Sequence, residues 1–543
     1  MAPAPNFKRK TVPPGKQRLR TLGRSPTEDS LSELTDCDKT ITSANESTEL
    51  PAADLCRKAE SPNHGPSYFL TLVICTGGFA LGYAIGFTSP ASYQLKAANG
   101  TEPQAYGRSL ALTGTEISWF GSALFLAAGL GGIVGGLMAN RLGRRLTTMI
   151  TTIPMIAGWV LIVHANQVAM LITGRVLLGW GVGVLLLVNP VYIAETVQLE
   201  LRGILTTCMQ ISLTLGVIVC FGLGGSVGYR VMSIVGACLA GVFFLLLWFI
   251  PETPRWYMRA GHLEEGIKSL QRMRGSSATV DHEAAQIMKA VTAELNAKPF
   301  SMAELKEPCT YQPLMMAIAL MFFQQFSGIN AVLSYTTIIF QDAGLAEKAS
   351  AISTGVAGVQ LLFTFFSAFI VDRYGRRPLL MVAGVGMGIS LTVLALFFFN
   401  RDHIHGETAA ALPATAIYVY TASFSMGLGI IPWLFMAEAF QTRAFPALSA
   451  VTAGSSWFMA FLVTQYFSAL SDLMTDGGVF LLMAVVSFAL VLFTKVSLIE
   501  TKGLSLEDVE NIFKCKSGLS DEYSQRPSVA SSTGSVPDEN IVV

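Results

Sequence analysis

Three primary amides, Gln324, Gln325 and Asn330, fall within seven residues of the uncharged run FFQQFSGINAVLSY, from Phe322 to Tyr335. A primary amide donates and accepts hydrogen bonds from one neutral group, whereas a carboxylate only accepts and an ammonium only donates. Such groups suit a ligand whose hydroxyls also do both, a sugar above all, and neutral partners keep binding weak enough for release. Trp433 would add an apolar face for a sugar ring and an indole N–H to donate. Buried Asn and Gln also bridge neighbouring helices, which is the competing reading for any single amide. Three of them beside Gly328 point instead to a cavity lining. At about 100° per residue, Asn330 lies far around a straight helix from Gln324. All three can face one ligand only if the helix breaks, so a break is expected near Gly328.

Other chemistries find no support. The eight cysteines and six histidines are scattered without CxxC or HExxH spacing, and no nucleophile or carboxylate pair lies near the amides. No metal, no cofactor and no enzymatic activity are expected. The formal net charge of zero is uninformative about partners, and no nucleic-acid partner is expected.

Composition says what must position the amides. Of 543 residues, 51% are hydrophobic and 14% charged, against roughly a quarter charged in a soluble protein; mean hydropathy is +0.50. The charges crowd into the two ends and a middle segment, leaving uncharged stretches of about twenty residues, enough to cross a bilayer as helices. Spans begin near Tyr68, Ile117, Leu146, Met170, Ile204 and Tyr229, and again near Leu314, Ser350, Leu379, Ala416, Ser449 and Gly478. The expected organisation is a tail over 1–66, six spans over 67–250, a polar insert over 251–311, six spans over 312–498 and a tail over 499–543. The first tail is basic and rich in Pro, Ser and Thr, reading as disordered and not as a cleavable signal. Basic residues in the tail, in NRLGRR (Asn140–Arg145) and in the insert share one side, which the positive-inside rule makes cytoplasmic, with both termini. Asn99-Gly-Thr101 then falls outside, where Asn99 could carry a glycan.

The chain repeats itself. LGRRL (Leu142–Leu146) follows the second span and YGRRPL (Tyr374–Leu379) the eighth; YIAE closes the fourth span at Glu195 and MAEAF carries Glu438 at the end of the tenth. PETPR from Pro251 follows the sixth span as IETKG from Ile499 follows the twelfth. Three pairs in one order indicate duplication of a six-span half, an arrangement in which transporters hold substrate between the halves. The glycine permits a tight turn, and Arg144, Arg145, Arg376 and Arg377 can reach Glu195, Glu438 and nearby helix ends as a charge network at an inner gate. The runs GLGGIVGG (Gly129–Gly136) and GVGV (Gly181–Val184) suit close helix packing, not phosphate binding.

These motifs, together with GRVLLGWGVG (Gly174–Gly183), PVYIAE (Pro190–Glu195), Arg202–Gly203 with Gln210, PETPRW (Pro251–Trp256), QQFSGIN (Gln324–Asn330), VDRYGRR (Val371–Arg377), IPW (Ile431–Trp433) and ETKG (Glu500–Gly503), resemble the sugar porters of the major facilitator superfamily. The resemblance is nearest to the facilitative hexose transporters, class III members and the related trehalose transporters included. It implies an all-α membrane protein of the major facilitator fold: twelve transmembrane helices in two six-helix bundles, joined by a cytoplasmic helical linker. It further implies a sugar site at Gln210, Gln324, Gln325, Asn330, Gln360, Ser425 and Trp433, an outer-gate tyrosine at Tyr335, and a gating role for Arg202 beside the arginines and glutamates above.

The departures are specific. Asn140 replaces the first loop's usual aspartate, which should weaken its charge network. Gln360, Ser425 and Ser456 replace asparagine, glutamate and asparagine, and MFF (Met321–Phe323) replaces the QLS of glucose-selective members. QTRAFP (Gln441–Pro446) moves the basic residue after Glu438 to Arg443, which leaves the second network open. Proton-coupled relatives carry an aspartate where LGYAIG has Ala84, so Arg175 lacks that partner and uniport is expected; Arg175 also reads as an anchor at the cytoplasmic end of the fourth span. The expected function is uniport of a hexose such as glucose in the plasma membrane, or in an endosomal or lysosomal one. Transport of trehalose, proton coupling and sugar sensing are the alternatives. The expected partners are the sugar and the bilayer; oligomeric state is not legible.

Overall fold

The computed structural model describes residues 64–513 except 97–109, 275–277, 297–299, 302, 346–347, 404–406, 442, 505–507 and 510. Asn99 and both tails beyond those limits lie outside the described residues. Every regular element among the described residues is helical. The first half contains α1 (Gly65–Gly86), α2 (Thr88–Lys96), α3 (Gly114–Leu142), α4 (Arg144–Val163), α5 (Val168–Thr196), α6 (Leu199–Gly224) and α7 (Tyr229–Leu246). After α8 (Pro254–Arg259), α9 (Leu263–Arg274) and α10 (Ala278–Asn296) come α11 (Pro308–Phe326), α12 (Ile329–Asp342), α13 (Ala349–Tyr374), α14 (Arg376–Phe399), α15 (Glu407–Met426), α16 (Ile431–Ala439) and α17 (Phe445–Val496).

Eleven described stretches are long and apolar enough to cross a membrane, among them Gly65–Lys96, Pro308–Asp342 and Ala411–Ala439, each of which contains a break. The 52-residue α17 turns at Thr475, whose φ of 66° and ψ of 161° are not helical. Counted as two crossings there, it brings the total to the twelve expected.

The glycine-rich runs do what their spacing suggests. A Cβ on Gly131 would lie 2.4 Å from Trp180 O, one on Gly179 would lie 2.2 Å from Leu124 O, and one on Gly183 would lie 2.0 Å from Ala128 O. Only glycine lets the backbones of α3 and α5 come this close, and such contact replaces the hydrophobic force that is missing between helices in lipid.

Residues Thr253–Asn296 belong to a compact unit of their own. Thr253 caps α8, its side chain accepting from Trp256 N at 3.4 Å, with Pro254 in the first turn where its missing N–H costs nothing. Met258, Leu270, Val280 and Ala284 form its small core. Glu294 pairs with Arg255 at 3.1 Å and Arg259 at 3.3 Å, and Arg274 pairs with Glu283 at 3.1 Å.

Candidate functional site

Both Gly-Arg-Arg sequences fold into the same turn. Gly143 has φ 97° and ψ 164°, and Gly375 has φ 91° and ψ 171°, a region open to glycine and closed to branched side chains. Each turn starts a helix whose first N–H groups need acceptors. Glu252 accepts from Arg144 N at 2.8 Å and Arg145 N at 3.0 Å; Glu500 accepts from Arg376 N and Arg377 N, both at 2.9 Å. A carboxylate at the positive end of a helix is also favoured electrostatically. A Cβ on Gly143 would sit 2.4 Å from the Glu252 carboxylate, so the turn and its cap exclude any larger residue.

The side chains complete each clasp. Buried Arg144 donates to Glu195 at 2.8 Å and to Ala139 O at 3.2 Å. Buried Arg376 reaches both oxygens of Glu438, and Val371 O at 3.3 Å. Arg145 donates to Leu247 O at 2.9 Å and Trp248 O at 3.2 Å, and Arg377 to Thr494 O at 3.3 Å and Lys495 O at 2.8 Å. Those carbonyls close α7 and α17, where a positive charge is favoured. The second clasp, left open by the sequence, is therefore formed; it gains Asp372 at 3.4 Å from Arg376, and Thr501 on Glu438. Displaced Arg443 pairs with Glu304 at 3.7 Å instead. Arg202 is exposed at the start of α6 and forms no ion pair among the described residues. Glu252 and Glu500, read only as parts of repeated motifs, turn out to be the pivots of both turns.

The helix carrying the amides breaks where their convergence requires it. Gly328 is left-handed, with φ 93° and ψ 9°, between α11 and α12, and the sulfur of Met483 occupies the space a Cβ would need. Across this turn Asn330 Nδ2 donates to Gln325 Oε1 at 2.5 Å. Gln325 Nε2 donates to Ser456 Oγ at 2.9 Å and to Gln324 Oε1 at 3.2 Å. Gln324 Nε2 donates to Leu428 O at 2.8 Å. A backbone carbonyl can only accept, so Leu428 fixes the direction of the whole row. Gln324 therefore bridges two helices, while the half-buried Asn330 ends the row as its donor.

Among the described residues, the other site residues expected from the resemblance do not join this row by hydrogen bonds. Ser425, 2% exposed, sits in the last turn of α15 with no hydrogen-bond partner for its hydroxyl among the described residues. Gln210 on α6 is exposed and Gln360 on α13 half-buried, on two helices that pack together. Trp433, 42% exposed, lies in the first turn of α16. Ser456, noted in the sequence only as a departure, belongs to the row itself.

A family model described as "Sugar (and other) transporter" matches residues 70–513. The chain belongs to this family. The chain is 37% identical over 461 residues to the "Facilitated trehalose transporter Tret1" of Aedes aegypti, covering 83% of this chain and 56% of the relative. It is 35% identical over 445 residues to the protein so named in Apis mellifera ligustica, covering 81% and 87%. The chain thus spans little more than half of the first relative and most of the second. Its fold matches the "Inward open conformation of the xylose transporter XylE from E. coli" with a TM-score of 0.68 at 24% identity, covering 82% of this chain and 99% of that one. A second match is the "MFS (major facilitator superfamily) proton:xylose symporter XylE bound to 6-bromo-6-deoxy-D-glucose", at 0.65 and 24%. These establish the major facilitator fold.

At the end opposite the clasps, polar contacts tie the two halves of the chain together. Ser89 Oγ accepts from Thr337 N at 3.1 Å and lies 2.9 Å from its hydroxyl. Lys96 pairs with Asp342 at 3.6 Å, Ser122 donates to Gln465 at 2.5 Å, and Ser350 donates to Phe221 O at 3.0 Å. Tyr335 is buried in this seal, donating to Thr464 O at 3.2 Å and stacking on Phe467 at 5.6 Å. Gly121 makes room for it: a Cβ there would meet the Tyr335 hydroxyl at 2.8 Å.

Arg175 is placed differently from the expectation. It is 0% exposed and lies in the early turns of α5, the end away from Glu195 and the clasps. The fourth span runs toward the clasps, so an arginine near its start cannot anchor that side. Its guanidinium donates to Phe120 O at 3.1 Å, Ala84 O at 3.0 Å and the Thr88 hydroxyl, and lies over the Phe120 ring at 5.0 Å. Ala84 O is available because α1 ends at Gly86. Among the described residues no carboxylate pairs with it.

Proposed function

We propose that this protein is a facilitative transporter of trehalose, working by alternating access in the plasma membrane with both termini cytoplasmic. The observation that carries the reading is the row of Asn330, Gln325, Gln324 and Ser456: neutral groups, each able to donate and accept, gathered at a helix break inside a sugar-transporter fold. Gln210, Gln360, Ser425 and Trp433 complete the site, with the indole lying against a ring face. The relatives favour the disaccharide over a hexose, since both carry the name of a trehalose transporter. MFF in place of QLS is in keeping with that choice.

With the Gly-Arg-Arg turns on the cytoplasmic side, the seal around Tyr335 closes the outer face, and the molecule faces inward. Each clasp joins helix ends of its own half, so each half moves as one body. Sugar entering from outside requires Tyr335 and the Lys96–Asp342 pair to part. Arg175 supports uniport, since its charge is satisfied by two carbonyls and a hydroxyl in place of an acid that could carry a proton.

Uptake of labelled trehalose and glucose into proteoliposomes, with and without a pH gradient, tests this. Trehalose should equilibrate at a rate the gradient leaves unchanged. Accumulation above equilibrium with acid outside overturns uniport, glucose flux without trehalose flux overturns the substrate, and binding without flux makes the protein a sensor.

A further inference from the structure

Two carbonyls at two helix breaks have lost their helical donors. The left-handed turn at Gly328 takes Ser327 O out of the α11 pattern. Pro432, four residues after Leu428, has no N–H for Leu428 O. Each carbonyl is satisfied from the other helix. Gln324, beside the first break, donates to Leu428 O at 2.8 Å, and Tyr420, on α15 before the second, donates to Ser327 O at 2.9 Å. Tyr420 is 1% exposed, so its hydroxyl has no access to bulk solvent, and a buried carbonyl without a donor is costly.

We propose that Tyr420 is a positioning residue that couples the hinge at Gly328 to the hinge at Gly427–Ile430, making α12 and α16 move in concert. α12 carries Tyr335 and α16 carries Trp433 and Glu438, so the coupled parts are the far-end seal, the site and one clasp. The proposal rests on the sugar-transport reading. A sugar hydroxyl that engages Gln324 Nε2 competes with Leu428 O, leaving the Tyr420 bond as the one polar link between the breaks among the described residues. In the empty carrier both links hold, and the carrier reorients slowly. In the loaded carrier one holds, and reorientation is faster.

The test is Tyr420→Phe, which keeps the buried ring and removes one oxygen. In proteoliposomes, equilibrium exchange of trehalose in the wild type should outrun net flux, because only exchange avoids reorientation of the empty carrier. Tyr420→Phe takes one link from the empty and the loaded carrier alike, so net flux and exchange should each quicken about threefold. A variant that merely loses active molecules lowers both rates together, and rates that fall or stay unchanged overturn the proposal. Backbone hydrogen exchange of the detergent-solubilised protein without sugar gives a second reading. Exchange should quicken at both 324–332 and 427–436 in the variant. Quickening confined to 324–332 overturns the coupling. If the wild type moves neither trehalose nor glucose, the transport reading fails, and hydrogen exchange still decides whether the hinges are coupled.

Discussion

The clasps and the amide row solve one problem with different chemistry. Both supply partners to backbone groups stranded at helix ends. The clasps use ions: Glu252 and Glu500 cap helix starts, while Arg145 and Arg377 cap helix finishes. The row uses neutral amides, with Gln324 on Leu428 O. Charge-assisted bonds are roughly twice as strong as neutral ones. Strong bonds suit joints that keep their partners while a half moves as a body. Neutral ones suit the proposed cycle, in which the joint trades a carbonyl for a sugar hydroxyl and trades back.

Arg376→Ala tests the strong side and should have the largest effect. It strands the half-buried Glu438 and removes the donor to Val371 O. Breaking a buried pair from one side costs about 3 kcal/mol or more. A clear fall in the thermal midpoint of the purified protein is expected, with trehalose flux falling alongside. A variant that melts with the wild type would show that the clasp carries no stability, and the contrast with the row would collapse.

Gln325→Ala sharpens the weak side. Gln325 is the middle of the row, bonded to Asn330, Gln324 and Ser456. Neutral bonds contribute about 1 kcal/mol each, so the fold should survive with a thermal midpoint that falls no further than that of Arg376→Ala. Half-saturation for trehalose uptake should rise about tenfold, or ~1.4 kcal/mol. Unchanged half-saturation with intact flux would place the site away from the row.

What could be read from the sequence follows the same division. Spans, the duplication and the paired turns come from hydropathy and charge, which the bilayer sorts without reference to distant residues. The Gly328 break was readable because three amides on one straight helix could not converge. The break at Gly427–Ile430 had a signal, Gly-Leu-Gly followed by Pro432, but no polar residue there demanded a turn. Its reason is Leu428 O, met by an amide 104 residues away in the chain. Arg175 was misplaced because a charge near a span's edge reads as an anchor, and its actual partners are carbonyls, which every sequence has. Glu252 and Glu500 each looked like one acid in a loop until the helix starts they cap were in place.

The smallest effect lies inside the comparison, between the clasps themselves. Asp372 stands one turn before Arg376 at 3.4 Å, while Asn140 holds the matching place before Arg144. The Asp372 side chain is 75% exposed, and exposed pairs contribute about 0–1 kcal/mol. Asn140→Asp should therefore stabilise the first clasp, and Asp372→Asn weaken the second, each by about 0.5 kcal/mol or less. Both shifts in thermal midpoint should shrink as salt is raised, because these carboxylates face solvent and are screened. The strength of each clasp would then reside in the buried arginine, its partner glutamate and the capping glutamate, which the halves share. A shift well above 1 kcal/mol from either substitution, persisting in high salt, would instead make the acid an integral part of the clasp and the first half the weaker of the two.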